Sequence, residues 1–159
     1  MTQELILVRH GKAEPHGTRA DYDRALTEEG IAEIRQMAPA LAKKVEGKET
    51  VLITSPLVRA RETAEILADA LGCPMEIDDW VAEGIFSEVL ATKERPEEVV
   101  ILVGHNPTFD EWHEQLTYER DHFKKGATAS YRWQEGEPQA KLNWLHTAKE
   151  LARGEENET

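Results

Sequence analysis

The chain has one cysteine, Cys73, so no disulfide can form within it. That favours a reducing compartment, and a cytoplasmic location is the expectation. Long apolar runs are missing too. The longest are residues 5–8 and 99–103, far too short to span a bilayer. No secretory signal is recognisable ahead of the first apolar run. Positive charge is scarce: 19 Lys and Arg stand against 31 Asp and Glu, a formal net charge of −12. Such a balance opposes binding to nucleic acid or to an anionic membrane. It also makes any local gathering of arginines informative. No internal repeat is visible, and the only biased segment is the acidic end, residues 153–159, expected to be disordered. The 159 residues suit a single domain, with bounds expected at 1–152.

What is present is an alternation of short apolar runs with amphipathic stretches. Residues 5–8, 51–53 and 99–103 read as strands buried on both faces. Residues 75–77 read as a short edge strand. Between them lie helices. Thr27 caps one, with Glu28 and Glu29 in its first turn, and Pro39 predicts a kink or break before Gly47 ends it. Ser55 reads as the N-cap of a second, with Pro56 at its first position, and Gly72 as its C-cap. Ser87 reads as the cap of a short helix over 88–93, and a further helix is expected over 108–116. Residues 128–133 and 140–144 alternate apolar with polar and predict a hairpin. Strand–helix–strand order predicts a mostly parallel sheet with helices on both faces, a three-layer α/β/α sandwich.

Parallel neighbours put their carboxyl ends on one edge, where ligands bind in open α/β sheets. There the sequence places Arg9-His10-Gly11, Ser55-Pro56 with Arg59 one turn behind, and Gly104-His105. Two guanidinium groups with two imidazoles suit a small, multiply charged anion, and phosphate fits best. Gly11 allows a sharp turn or a close approach.

These residues resemble the motifs of the histidine phosphatase superfamily, whose fold is phosphoglycerate mutase-like. The matching pieces are Arg9-His10-Gly11, Leu26-Thr27-x-x-Gly30, Ser55-Pro56-x-x-Arg59-Ala60-x-x-Thr63-Ala64 and Gly104-His105-Asn106-Pro107, in order over about residues 4–145. Small size, no large insertion and a closing hairpin look most like the SixA-type phosphohistidine phosphatases. The resemblance implies that His10 is the nucleophile, becoming a phosphohistidine. It implies that Arg9, Arg59 and His105 grip the phosphoryl oxygens, and that a crystal phosphate or sulfate would touch these four. No cofactor and no metal are implied. The expected substrate is a phosphorylated protein bearing phosphohistidine, or a small phosphorylated metabolite, and the expected state is a monomer. Two alternatives stay open, a general phosphomonoesterase and a catalytically silent module that binds phosphorylated ligands. Glu83, in the loop where mutase-like members carry a general acid, is the candidate acid, although its neighbours do not reproduce their pattern.

The remaining histidines, His16, His113, His122 and His146, read as surface or loop residues. Asp110, His113 and Glu114 share a helix face that reads as solvated rather than metal-binding. Trp80, Trp112, Trp133 and Trp144 read as packing residues, and Lys124-Lys125 as a loop pair near the mouth of the site.

Overall fold

Four parallel strands and a terminal antiparallel hairpin build one sheet. A computed structural model describes residues 1–136 and 139–154. The strands are β1 (Glu4–Arg9), β2 (Thr50–Thr54), β3 (Met75–Ile77), β4 (Val99–Gly104), β5 (Thr128–Trp133) and β6 (Ala140–His146). Their spatial order is β3-β2-β4-β1-β5-β6. β4 enters between β1 and β2 and pairs with both in parallel, while β5 runs antiparallel to β1. Arg9 is registered with Gly104 and Thr54 with Val103, so three strands end level on one edge.

The sheet is covered on both faces, as the apolar runs require. Side chains alternate across it with period two. Ile6, Val8, Leu52, Ile101 and Val103 pack with Ile34, Met37, Leu41, Ala60, Ala64 and Leu67. These come from α1 (Glu28–Lys44) and α2 (Val58–Leu71). Leu5, Leu7, Val51, Ile53, Val100 and Leu102 face the other way, onto Phe109, Trp112, Leu116 and Phe123. Most of that second layer comes from α5 (Thr108–Thr117), with α3 (Asp79–Glu83) and α4 (Phe86–Ala91) beside it. α6 (Ala148–Ala152) packs on α1. The expected three-layer arrangement is therefore present.

Thr27 caps α1 by accepting a hydrogen bond from the Gly30 amide, and Gly72 closes α2 in the left-handed conformation. Pro39, in contrast, neither breaks nor ends α1. It lies on the exposed side, so the Arg35 carbonyl that loses its donor can be hydrated. Ser55 is not the N-cap of α2, because the helix begins three residues on, at Val58. Its hydroxyl instead accepts from the Leu57 amide in the turn before the helix. The short helix after Gly84 starts at Phe86 rather than after Ser87. The expected hairpin forms, but Glu137 and Pro138 in its turn lie outside the described residues, as do residues 155–159 of the acidic end. Among the described residues no helix is long and apolar enough to cross a membrane.

Candidate active site

His10 follows β1 directly, and its amide donates to the Gly104 carbonyl at 3.0 Å. His105 follows β4. The two rings lie with centroids 5.2 Å apart, tilted by 59°. β2 delivers Ser55, whose amide donates to Val103. The Ser55 hydroxyl lies 2.7 Å from His105 Nε2. As the second residue of α2, Arg59 is buried at 7 % exposure, and Thr63 one turn behind it receives the Gly11 amide at 3.2 Å. The absent side chain of Gly11 lets α1 approach as well, because a Cβ there would stand 3.0 Å from Ile34 Cγ1.

The His10 ring has a definable state. His10 Nδ1 lies 2.7 Å from the Gly11 carbonyl oxygen. A carbonyl only accepts, so Nδ1 carries the proton and Nε2 keeps its lone pair. Burial pushes the His10 pKa down to about 3, with His105, Arg59 and Arg9 adding to the shift against the Gly11 hydrogen bond. Burial likewise lowers His105 to about 4, aided by Arg59, Arg9 and Arg24 and opposed by Asp21. Both imidazoles are thus neutral near pH 7. Burial also lowers Arg9 and Arg59 from the ordinary arginine value, yet guanidinium remains charged at any physiological pH. Three buried nitrogens, Arg9 Nε, Arg59 Nε and His105 Nδ1, have no protein partner. The two arginine Nε–H groups are unsatisfied donors on fixed cations, and such donors suit an anion with several acceptor oxygens.

The cations are held from outside the motifs. Arg59 donates to the Asp21 carbonyl at 2.8 Å and lies 3.5 Å from its carboxylate. Arg24, also buried, holds the same carboxylate at 3.0 Å. Arg9 donates to the Phe123 carbonyl at 2.8 Å. Asn106 donates to that oxygen as well, and the Asp110 carboxylate accepts from the Phe123 amide, from Asn106 and from His122. Asp21, Arg24, Asp110 and Phe123 were not legible as site residues. The one available signal was the unusual length of the polar loop after Gly11.

The architecture is matched by known proteins. The sequence profile of the histidine phosphatase superfamily (branch 1) fits residues 5–143. The chain belongs to that superfamily. An uncharacterized protein of Picosynechococcus sp. strain PCC 7002 is 40% identical over 125 residues, covering 72% of this chain and 73% of that one. A "Probable phosphoglycerate mutase GpmB" of Serratia proteamaculans is 35% identical over 101 residues, 60% of this chain but only 46% of that protein. The chain therefore spans less than half of this mutase-named relative. Among solved structures, the protein histidine phosphatase SixA complexed with tungstate superposes with a TM-score of 0.80 at 25% identity, covering 93% of this chain and 99% of that one. A mycobacterial glucosyl-3-phosphoglycerate phosphatase bound to inorganic phosphate shares the fold at 16% identity, with a TM-score of 0.70 over 93% of this chain and 99% of that one.

Glu83 ends α3 as an exposed side chain. α3 lies on the same edge of the sheet, since Val81 packs against Gly104. His113 and His146 are buried rather than superficial. His113 Nδ1 lies 2.6 Å from the Tyr131 hydroxyl, and His146 stacks on Trp144. His113 is therefore turned into the core, whereas Glu114 is exposed. His16 and His122 are exposed as expected. A larger cleft, about 950 Å³, opens at the other end of the sheet beside Glu49, Thr50 and Cys73. It brings no histidine or arginine together.

Proposed function

We propose that the protein is a phosphatase that works through a covalent phosphohistidine at Nε2 of His10. The observation that carries this reading is the contact between His10 Nδ1 and the Gly11 carbonyl, in a site shared with Arg9, Arg59 and His105. It fixes the tautomer whose Nε2 is nucleophilic at neutral pH. In the first step Nε2 forms a bond to phosphorus while the bond to the leaving group breaks. In the second, water attacks the phosphohistidine, its proton is lost to solvent, and His10 is released with inorganic phosphate. Arg9, Arg59 and His105, in the tautomer that keeps its proton on Nδ1, stabilise charge on the equatorial oxygens, which is most of what phosphoryl transfer asks of a protein.

Phosphohistidine is the favoured substrate. Its leaving imidazole is protonated readily near pH 7, whereas an alkoxide needs a dedicated acid. The likeness to the SixA structure over nearly its whole length supports this choice. The exposed Glu83, near the same sheet edge, favours a second reading as a general phosphomonoesterase. Purified protein offered a phosphohistidine protein, a phosphoserine peptide and an aryl phosphate, with and without chelator, separates the two. The expected result is chelator-insensitive turnover, fastest on phosphohistidine. Binding without turnover of any of the three leaves only a silent phospho-ligand module.

A further inference from the structure

The chain carries a net charge of −12, yet one cleft beside the proposed phosphoryl site is basic. It has a volume of about 500 Å³, and its wall includes Arg9, Lys124, Lys125 and Lys149 against a single carboxylate, Glu33. Arg9 belongs to both the cleft and the His10 site.

The two central lysines are presented by a fixed piece of chain. Phe123 before them is fully buried, its amide held by Asp110 and its carbonyl by Arg9 and Asn106. Gly126 after them donates its amide to the carbonyls of Arg9 and His10, at 3.1 and 3.0 Å. Lys124 and Lys125 are thus tied at both ends to the strand end that bears the nucleophile. Both side chains are exposed, and among the described residues neither makes an ion pair. Lys149, across the cleft, also faces Glu29, whose carboxyl is held below the ordinary value chiefly by its hydrogen bond to Lys12, with Lys149 a lesser cause. Neither Lys124 nor Lys125 is spent on an ion pair among the described residues, and both line the cleft that Arg9 shares with the proposed phosphoryl site. They raise the local potential where a substrate extends away from its phosphoryl group.

We infer that this cleft is a second anion subsite, in which Lys124 and Lys125, with Lys149 opposite, take a carboxylate or a second phosphate carried by the phosphorylated substrate. The inference rests on the reading of Arg9 and His10 as the phosphoryl site. It makes the two lysines specificity residues: they select substrates whose phosphoryl group has an anionic neighbour.

Non-hydrolysable probes test this apart from catalysis. Binding of 3-phosphonopropanoate is compared with that of propylphosphonate, which has the same length without the carboxylate. The carboxylate should tighten binding by roughly three- to tenfold at low salt, the scale of one or two rim charge pairs. The ratio should collapse towards one in the Lys124→Ala/Lys125→Ala double variant and stay as in wild type in Lys141→Ala, a lysine on β6. Phosphohistidine peptides flanked by glutamate or by glutamine then tell a protein source of the anion from a small molecule, and a preference for either anionic probe supports the subsite. Equal binding of both members of each pair to wild type overturns the subsite, whether or not the enzyme turns over. So does a ratio that Lys141→Ala lowers as much as the double variant. Failure of wild type to bind any phosphonate, together with absent turnover, overturns the phosphatase reading and the subsite with it.

Discussion

Asp21 holds Arg59 across 38 residues of chain, with its carbonyl oxygen 2.8 Å from one guanidinium nitrogen and its carboxylate 3.5 Å from the other. The polar loop after Gly11 therefore places an anion on the cation that would grip the phosphoryl group. The Asp21 side chain is more than half exposed, so this pair is screened and weak. A dianion entering the site competes with that carboxylate and is repelled by it.

Asp21→Asn keeps the carbonyl contact and removes the competing charge. Inorganic phosphate should bind this variant roughly two- to fivefold more tightly at low salt, with the gain shrinking as salt rises. Titration calorimetry at two ionic strengths reads both numbers. Weaker binding in Asp21→Asn would mean that the carboxylate positions Arg59 for the ligand.

His10→Ala should fold and retain phosphate binding yet lose turnover. Incubation of wild type with a labelled phosphorylated substrate should leave acid-labile, base-stable label on His10, absent from the variant. Arg59→Ala should weaken phosphate binding by about 2–5 kcal/mol, the scale of losing a buried, hydrogen-bonded charge partner. Label on another residue, or full activity of His10→Ala, contradicts the proposed nucleophile.

The two histidines also make stability depend on pH. Their folded pKa values, about 3 for His10 and about 4 for His105, lie below the ordinary imidazole value near 6.5. Between these limits the unfolded chain binds more protons, so stability rises with pH there. The contribution is complete above about pH 6.5 and is lost as pH falls towards 4 and then 3. Denaturant midpoints at pH 7 and pH 5 should differ more for wild type than for His10→Asn/His105→Asn. Equal pH sensitivity in both proteins would show that neither ring is held neutral by burial.

Gly30 touches the loop that follows the nucleophile. A Cβ at that position would stand 2.2 Å from the Lys12 carbonyl oxygen and 3.0 Å from the Lys12 amide nitrogen. Both are backbone atoms and cannot turn aside. Gly30→Ala should therefore cost more than about 2 kcal/mol of stability, well beyond an ordinary surface substitution, despite the better helix propensity of alanine. Chemical denaturation measures it. A neutral or stabilising change would show that the loop moves freely on α1.

Glu83→Gln should slow phosphohistidine hydrolysis by less than about tenfold, against the 10²–10⁴-fold usual for a general acid. Efficient phosphoserine hydrolysis that collapses in this variant would favour the phosphomonoesterase reading instead.

The sequence by itself determined the alternation of buried strands and amphipathic helices, the Thr27 and Gly72 caps, and the chemistry at the strand ends. These follow from local rules: apolar periodicity, capping, and the requirement that parallel strands finish on one edge. That is why the meeting of His10 with His105 and Arg59 was legible. Tertiary structure alone decided what holds those groups. The Phe123 carbonyl that receives Arg9 lies 114 residues away, and backbone oxygens carry no residue-type signal. Asp21 looked like any charged loop residue until packing brought its loop over α2. Pro39 stays helical because the lost hydrogen bond faces water, and His113 is buried because Tyr131 offers its hydroxyl from a strand of the terminal hairpin. Burial and the identity of a distant partner are properties of the packed chain, and no local pattern encodes them.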